Sequence, residues 1–216
     1  MIQPSYQSEN VTLYLGDCLE ILPQLTGIDA VITYPPYGIG WSGSNASTRE
    51  WTPIVNDDGK FDLRPILNLP CLVISFGANC YPEMLPHRGR WICWDKRIIE
   101  KSDRMLGSPF ELAWVNKTTG FDKMYRLMHG GVVNADGGNA PRVHPTQKPI
   151  SLMKRMLYDY TDEDDTILDP FMGSGTTIVA AIQTGRKAIG IEIDPTYFEI
   201  AEKRIRQAEL QIRMEI

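Results

Sequence analysis

The feature that most constrains this chain is a series of short apolar runs, each bounded by turn residues and separated by segments of helical periodicity. Strand-length runs occur at residues 12–15, 30–33, 71–76, 90–94, 111–115, 166–168 and 188–193, and several are apolar almost throughout. A strand apolar on both faces belongs in a sheet covered on both sides. Helical patterns lie between them: a short one at 19–25, an amphipathic one at 150–160, a small-residue apolar one at 176–184, and a long one at 196–214, charged on one face. Strand alternating with helix predicts an α/β fold with a doubly wound, mostly parallel sheet of seven strands. At 216 residues this is one domain.

Two stretches break the alternation. Residues 42–64 mix Ser, Asn, Asp and Gly around Trp51, and residues 118–143 contain Gly130-Gly131 and Gly137-Gly138-Asn139. Loops this long in a compact domain are usually functional or disordered.

Composition narrows the function classes. No apolar run approaches the roughly 18 residues that span a bilayer, and residues 1–10 lack the pattern of a secretory signal. A cytoplasmic protein is expected, with no membrane partner. Cys18, Cys71, Cys80 and Cys93 stand singly and read as small apolar side chains. With His87, His129 and His144 they form no ligand spacing, so no metal is expected. The net charge of −5 is unlike that of a phosphate binder. A local excess runs against the average, however: Arg88, Arg90, Lys96, Arg97, Lys101 and Arg104 face only Asp95, Glu100 and Asp103.

Residues 166–177 read as strand, tight glycine turn and helix start: Asp169-Pro170-Phe171-Met172-Gly173-Ser174-Gly175-Thr176-Thr177. Gly173 and Gly175 permit backbone angles closed to other residues and let a ligand approach the main chain. Thr176 or Thr177 can cap a helix whose free N–H groups favour a carboxylate. About twenty residues on, the next strand ends in Glu192, placed to accept from both hydroxyls of a ribose. By itself the glycine turn fits a structural role equally well; with Glu192 it points to a nucleoside ligand. The three-glycine dinucleotide fingerprint is absent, which disfavours an oxidoreductase.

Tyr34-Pro35-Pro36-Tyr37-Gly38 follows the strand at 30–33, at the end where doubly wound sheets hold ligands. Two prolines remove two N–H donors and fix the backbone. What remains is a rigid row of carbonyl acceptors beside an aromatic face. The Pro35 carbonyl can accept an N–H and Tyr37 can stack, which suits a planar group bearing an amine. The structural alternative is a stiff strand exit with an aromatic lid.

Together these segments resemble the DNA amino-methyltransferases, whose catalytic motif is Asp, Asn or Ser followed by Pro-Pro-Tyr. The turn from Asp169 to Thr177 resembles that family's cofactor motif, and His144-Pro145-Thr146-Gln147-Lys148-Pro149 a third motif. The order, catalytic motif first and cofactor motif last, resembles the permuted beta class. The likeness covers roughly residues 10–40 and 88–205.

The resemblance implies S-adenosylmethionine as cofactor. Asp169, Phe171, Gly173 and Gly175 would line its methionine part, Glu192 its ribose and Asp17 its adenine amino group, with Thr146 and Lys148 near its carboxylate and Thr176 and Thr177 also binding the cofactor. Tyr34, Pro35, Pro36 and Tyr37 would form the catalytic element, taking a target base flipped out of DNA. Residues 97–142 would hold the target-recognition segment, which is short and points to a homodimer. The setting implied is restriction-modification in a bacterium or phage. The leading expectation is methylation of adenine N6; the alternatives are cytosine N4 and a non-catalytic relative that binds DNA and cofactor.

Position 34 departs from the family pattern. A phenol is neutral at pH 7 and a much weaker acceptor than a carboxylate, and Tyr is bulkier than Asp, Asn or Ser. The expectation is a chain that folds and binds cofactor but is inactive or badly impaired in turnover.

Overall fold

The structure, a computed structural model, describes residues 2–38, 40, 54–55, 57–59, 61–97, 108–128, 136, 143–144 and 146–215. Each apolar run becomes a strand: β2 (Val11–Leu15), β3 (Ala30–Thr33), β4 (Leu72–Phe76), β5 (Arg90–Asp95), β6 (Phe110–Val115), β8 (Thr166–Asp169) and β9 (Lys187–Glu192). To these seven the structure adds two edge strands, β1 (Tyr6–Gln7) and β7 (Lys123–Arg126). Among the described residues the sheet therefore has nine strands, in the order β1-β2-β9-β8-β3-β4-β6-β5-β7, and not seven. Neither addition had an apolar run to announce it. β1 has two residues, and β7 is Lys-Met-Tyr-Arg inside the glycine-rich stretch.

The central strands β2, β9, β8, β3 and β4 are parallel; β1 and β6 run antiparallel to their neighbours. Side chains alternate between two cores. Ala30, Ile32, Ile74, Phe76 and Ile167 point to one, and Val31, Val73, Leu168 and Ile191 to the other. All nine are at most 1% exposed, which explains runs without polar alternation. Each large aliphatic side chain so buried contributes roughly 1.5–3 kcal/mol.

The first core is closed by three helices, α3 (Ile150–Tyr160), α4 (Thr176–Ile182) and α5 (Pro195–Glu215), with α4 packed between the other two. Every residue of α4 is buried, so its all-round apolar sequence reflects its central place. On α5, Phe198, Ala201, Ile205 and Ala208 form the inward stripe at helical spacing. Its start is set by Asp194, whose Oδ1 accepts from Thr196 N at 2.8 Å and Tyr197 N at 3.0 Å, with Pro195 in the first turn. The second core lies under α1 (Cys18–Ile21) and α2 (Arg64–Leu67). The helix expected at 19–25 is α1 continued by a 3₁₀ turn, Leu22–Gln24, where Pro23 intervenes. No described helix is long and apolar enough to cross a membrane.

Most of the loop expected at 42–64 and half of the recognition segment expected at 97–142 lie outside the described residues, as do Lys101 and Arg104 of the basic run. Within the recognition segment, β7 extends the sheet beside β5. Asp136 caps α3, its carboxylate accepting from Ile150 N at 2.7 Å and Ser151 N at 2.8 Å.

The first core tests the tightness of this packing. A Cβ at Gly190 would lie 2.4 Å from Met172 Sδ and 3.0 Å from Leu13 Cδ2. Gly190→Ala is expected to destabilise the fold by about 1–3 kcal/mol through overpacking. Urea unfolding should show a lower midpoint at unchanged slope.

Candidate active site

The strand order reverses between β8 and β3: β8 leads on to β9 on one side, β3 to β4 on the other. A crevice opens at such a switch point, above the C-terminal strand ends. Here it holds a cavity of about 340 Å³. The Thr33 hydroxyl donates to Asp169 Oδ1 at 2.9 Å, tying the ends of β3 and β8 together beneath it.

On the β8 side, Asp169 Oδ1 also accepts from Phe171 N at 3.2 Å, turning the chain into the glycine loop. Burial pushes the Asp169 carboxyl up to about 6 against these hydrogen bonds. Gly173 has φ +51°, and a Cβ there would sit 3.2 Å from His144 Nε2. Gly175 has φ +78° and caps α4. It faces Ala201 and Ile205 and does not line the cavity, so its place is in packing the turn on α5. Glu192 ends β9, the neighbour of β8, and holds the loop from beside it. Its Oε2 accepts from Gly173 N and its Oε1 from Asp194 N, both at 2.8 Å. Burial pushes Glu192 up to about 7. The Thr176 hydroxyl is buried with no hydrogen-bond partner among the described residues.

Asp17 stands apart from the main cavity. Its Oδ1 accepts from Leu19 N at 2.8 Å and caps α1. It lines a small adjoining pocket of about 30 Å³ with Pro36, Phe171 and Glu192, so the two spaces share a wall. His144 packs edge-on against Tyr197 with centroids 4.2 Å apart. Its Nδ1 accepts from Thr146 N at 3.2 Å, which puts the ring proton on Nε2. Burial pushes the imidazole down to about 4, so it is neutral.

On the β3 side, Tyr34, Pro35, Pro36 and Tyr37 all line the cavity. The Tyr34 ring lies between Tyr37 and Phe76, with centroids at 5.2 Å and 5.4 Å. Tyr37 rests directly on Gly77, whose φ is +67° and where a Cβ would be 1.7 Å from Tyr37 Cε1. The Tyr34 hydroxyl donates to Glu111 Oε2 on β6. Lys96 pairs with Glu111 Oε1, and Lys148 Nζ lies 3.2 Å from Oε2. The Lys148 ammonium is also 3.2 Å from the centre of the Tyr34 ring. Lys148, expected beside a cofactor carboxylate, has its ammonium engaged with Glu111 and the Tyr34 ring.

Sequence reading missed several lining residues, among them Glu111, Lys96, Trp94, Asp57 and Tyr197. A charge beginning an otherwise apolar run was the available signal for Glu111. Asp57 had none; it is buried and its Oδ1 accepts from Gly38 N at 2.8 Å, holding the chain beyond Tyr37. Of the basic run, Lys96 and Arg97 are committed to Glu111 and Asp95. Among the described residues no group of three His, Cys, Asp or Glu side chains is placed to hold a metal ion.

The raised Glu192 sets a pH dependence. The folded state keeps this proton to about pH 7, whereas an unfolded glutamate loses it near 4.5. The contribution is therefore fully present below about pH 4.5 and is lost as pH rises through about 7. Glu192→Gln, which cannot ionise, should gain stability over the parent across that window by more than about 1 kcal/mol. Chemical denaturation at pH 4, 5, 6, 7 and 8 reads this; a pH-independent difference would count against it.

Comparison with known proteins agrees with this geometry. The DNA methylase profile for N6 and N4 enzymes matches residues 90–203. Type II methyltransferase M2.LlaDCHI of Lactococcus lactis subsp. cremoris is 52% identical over 256 aligned residues, covering 96% of this chain and 93% of the relative. Among solved structures, the cytosine-N4-specific PvuII DNA methyltransferase superposes with a TM-score of 0.62 at 16% identity, covering 94% of this chain and 88% of its own. The M1.HpyAVI–SAM complex gives 0.57 at 23%, covering 90% and 98%. At those identities the two structures support the fold, while the profile and the Lactococcus relative carry the kinship: this chain belongs to the DNA amino-methyltransferase family.

Proposed function

We propose that this chain is an adenine-N6 DNA methyltransferase framework that uses S-adenosylmethionine, with turnover impaired by Tyr34. The observation that carries the reading is a single cavity walled on one side by Tyr34, Pro35 and Tyr37, and on the other by the loop at Gly173 with Asp169 and Glu192. An amine acceptor and a nucleoside-type site facing each other are what methyl transfer to an amine requires.

The residues fit the cofactor. Glu192 takes one N–H on each oxygen and has lone pairs left for a ribose diol. Thr176 has a buried hydroxyl awaiting a partner, and Gly173 leaves the main chain bare. Asp17, in the adjoining pocket, is proposed for the adenine amino group, and Thr146 for the methionine end. When bound, S-adenosylmethionine supplies a methyl group already activated on a sulfonium. The chain's task is to hold the target amine in line and draw on its N–H bonds, which localises a lone pair otherwise delocalised into the ring. In this proposal the Pro35 carbonyl accepts one amine hydrogen, Tyr37 stacks on the flipped base, and position 34 receives the second hydrogen. A neutral phenol serves there less well than a carboxylate, and its ring fills the space beside Lys148.

The choice of adenine follows the motif resemblance, and residues 97–142 are proposed to read the DNA sequence. A homodimer is proposed because that segment is short. Phe121 and Met124 are exposed on and beside β7, and a second copy would shield them. A monomer mass independent of concentration, free and with DNA, would overturn the dimer.

The function is tested with tritiated S-adenosylmethionine on DNA, comparing this chain with Tyr34→Asp. The variant should turn over at least about a hundredfold faster, the low end of what a positioned acid–base group contributes. Sequencing the methylated DNA gives the base and the site together. Equal, robust rates for both chains would sink the impairment, and methylation at cytosine would overturn the adenine assignment.

A further inference from the structure

Glu111 is a partly buried carboxylate, its side chain 18% exposed, with no task in the chemistry of Pro35, Tyr37 and Glu192. It begins the apolar face of β6, reaches the base end of the cavity and receives three groups there: the Tyr34 hydroxyl, Lys96 and Lys148. Burial works against its ionisation, but Lys148 and Lys96 outweigh it and hold the carboxyl at about 2. Tyr34 moves the other way. Burial first, then the neighbouring Tyr37 and Glu111, raises its phenol well above the ordinary value. At working pH the shared proton therefore belongs to Tyr34 and points at Glu111.

That direction has a chemical consequence. A phenol has one proton to donate; once it is committed to a carboxylate, the oxygen can only accept from any other group. Donation to a charge also polarises the O–H bond and strengthens the oxygen as an acceptor. The ring is held in place by Phe76 and Tyr37 and by the Lys148 ammonium over its face. Tyr34, Pro35 and Glu111 line the same cavity.

We propose that Glu111, acting through the Tyr34 hydroxyl, turns Tyr34 into the acceptor for one hydrogen of the target base's exocyclic amine. Glu111 is then a positioning residue, and Tyr34 the group that touches substrate. Lys96 and Lys148 serve by keeping Glu111 ionised. The proposal rests on the methyltransferase reading and deepens it: turnover by this chain is slow but real, and it depends on a charge two groups removed from the amine.

Two measurements test it, one of them independent of cofactor. With tyrosine labelled at ¹³Cζ, the Tyr34 resonance is identified by its loss in Tyr34→Phe and should shift in Glu111→Gln. Single-turnover rates are then compared for the parent, Tyr34→Phe, Glu111→Gln, the double variant and Tyr34→Asp, at saturating DNA and S-adenosylmethionine. Tyr34→Phe and Glu111→Gln should each fall about tenfold below the parent, in the range of a hydrogen bond to a charged group. The double variant should fall no further than either single one, as partners in one interaction do. The Kd for S-adenosylmethionine and the KM for DNA should stay within about twofold of the parent, since neither residue is assigned to binding.

A parent rate equal to that of Tyr34→Phe overturns the proposal, as does a Tyr34 resonance unmoved by Glu111→Gln. A silent parent beside an active Tyr34→Asp overturns the Tyr34–Glu111 pair alone. Silence of both overturns the methyltransferase reading and the pair with it. Should Glu111→Gln fail to fold, Tyr34→Phe, which removes only the hydroxyl, decides through the rate.

Discussion

The arrangement of this molecule hangs on one buried hydrogen bond, from the Thr33 hydroxyl to Asp169 Oδ1 at 2.9 Å. Thr33 and Asp169 are 136 residues apart in the chain and end adjacent parallel strands at the point where the strand order reverses. The two backbone elements that wall the cavity follow directly from one or the other. Tyr34 to Tyr37 leave the end of β3, and the glycine loop leaves the end of β8. Joining the two strand ends sets Tyr34 to Tyr37 against the glycine loop across a shared cavity. The joint is nearly inaccessible to water, with Thr33 2% and Asp169 3% exposed, so the bond is made in a medium where such contacts are strong.

Around that joint the site uses two kinds of carboxylate, Asp169 buried and Glu192 and Glu111 partly so. Asp169 and Glu192 accept mainly from backbone N–H groups and hydroxyls, and burial raises both. They organise main chain and leave lone pairs for a ligand. Glu111 sits among cations, which hold its carboxyl down against burial. One end of the cavity is thus built from neutral hydrogen-bond geometry and the other from fixed charge. Position 34 lies at the charged end, so the consequence of Tyr there depends on Glu111 and the two lysines as much as on the phenol.

Much of the fold was legible in the sequence because the central strands are buried on both faces, and such strands advertise themselves as unbroken apolar runs. The runs at 30–33 and 71–76 and the helix at 150–160 appear in the structure nearly residue for residue. The edge strands β1 and β7 were not legible: an edge strand buries too little to need an apolar run. The same distinction holds in the site. The glycine loop and the Pro-Pro element were visible because unusual backbone demands unusual residues. Glu111, Lys96 and Asp57 were not, because an ordinary Glu, Lys or Asp acquires its role from neighbours far along the chain.

The sequence by itself determined the alternation of strands and helices, the two backbone elements that flank the cavity, the acidic strand end at Glu192 and the departure at position 34. Each of these is a local property, written in periodicity or in the restricted angles of Gly and Pro. Only the tertiary structure decided that Lys148 brings its ammonium to Glu111 and Tyr34, that Asp17 lies in an adjoining pocket, and that Tyr34 is held by a carboxylate from β6. Those outcomes depend on distances between strands remote in sequence. Electrostatic partnership falls off with distance in space and takes no account of separation along the chain.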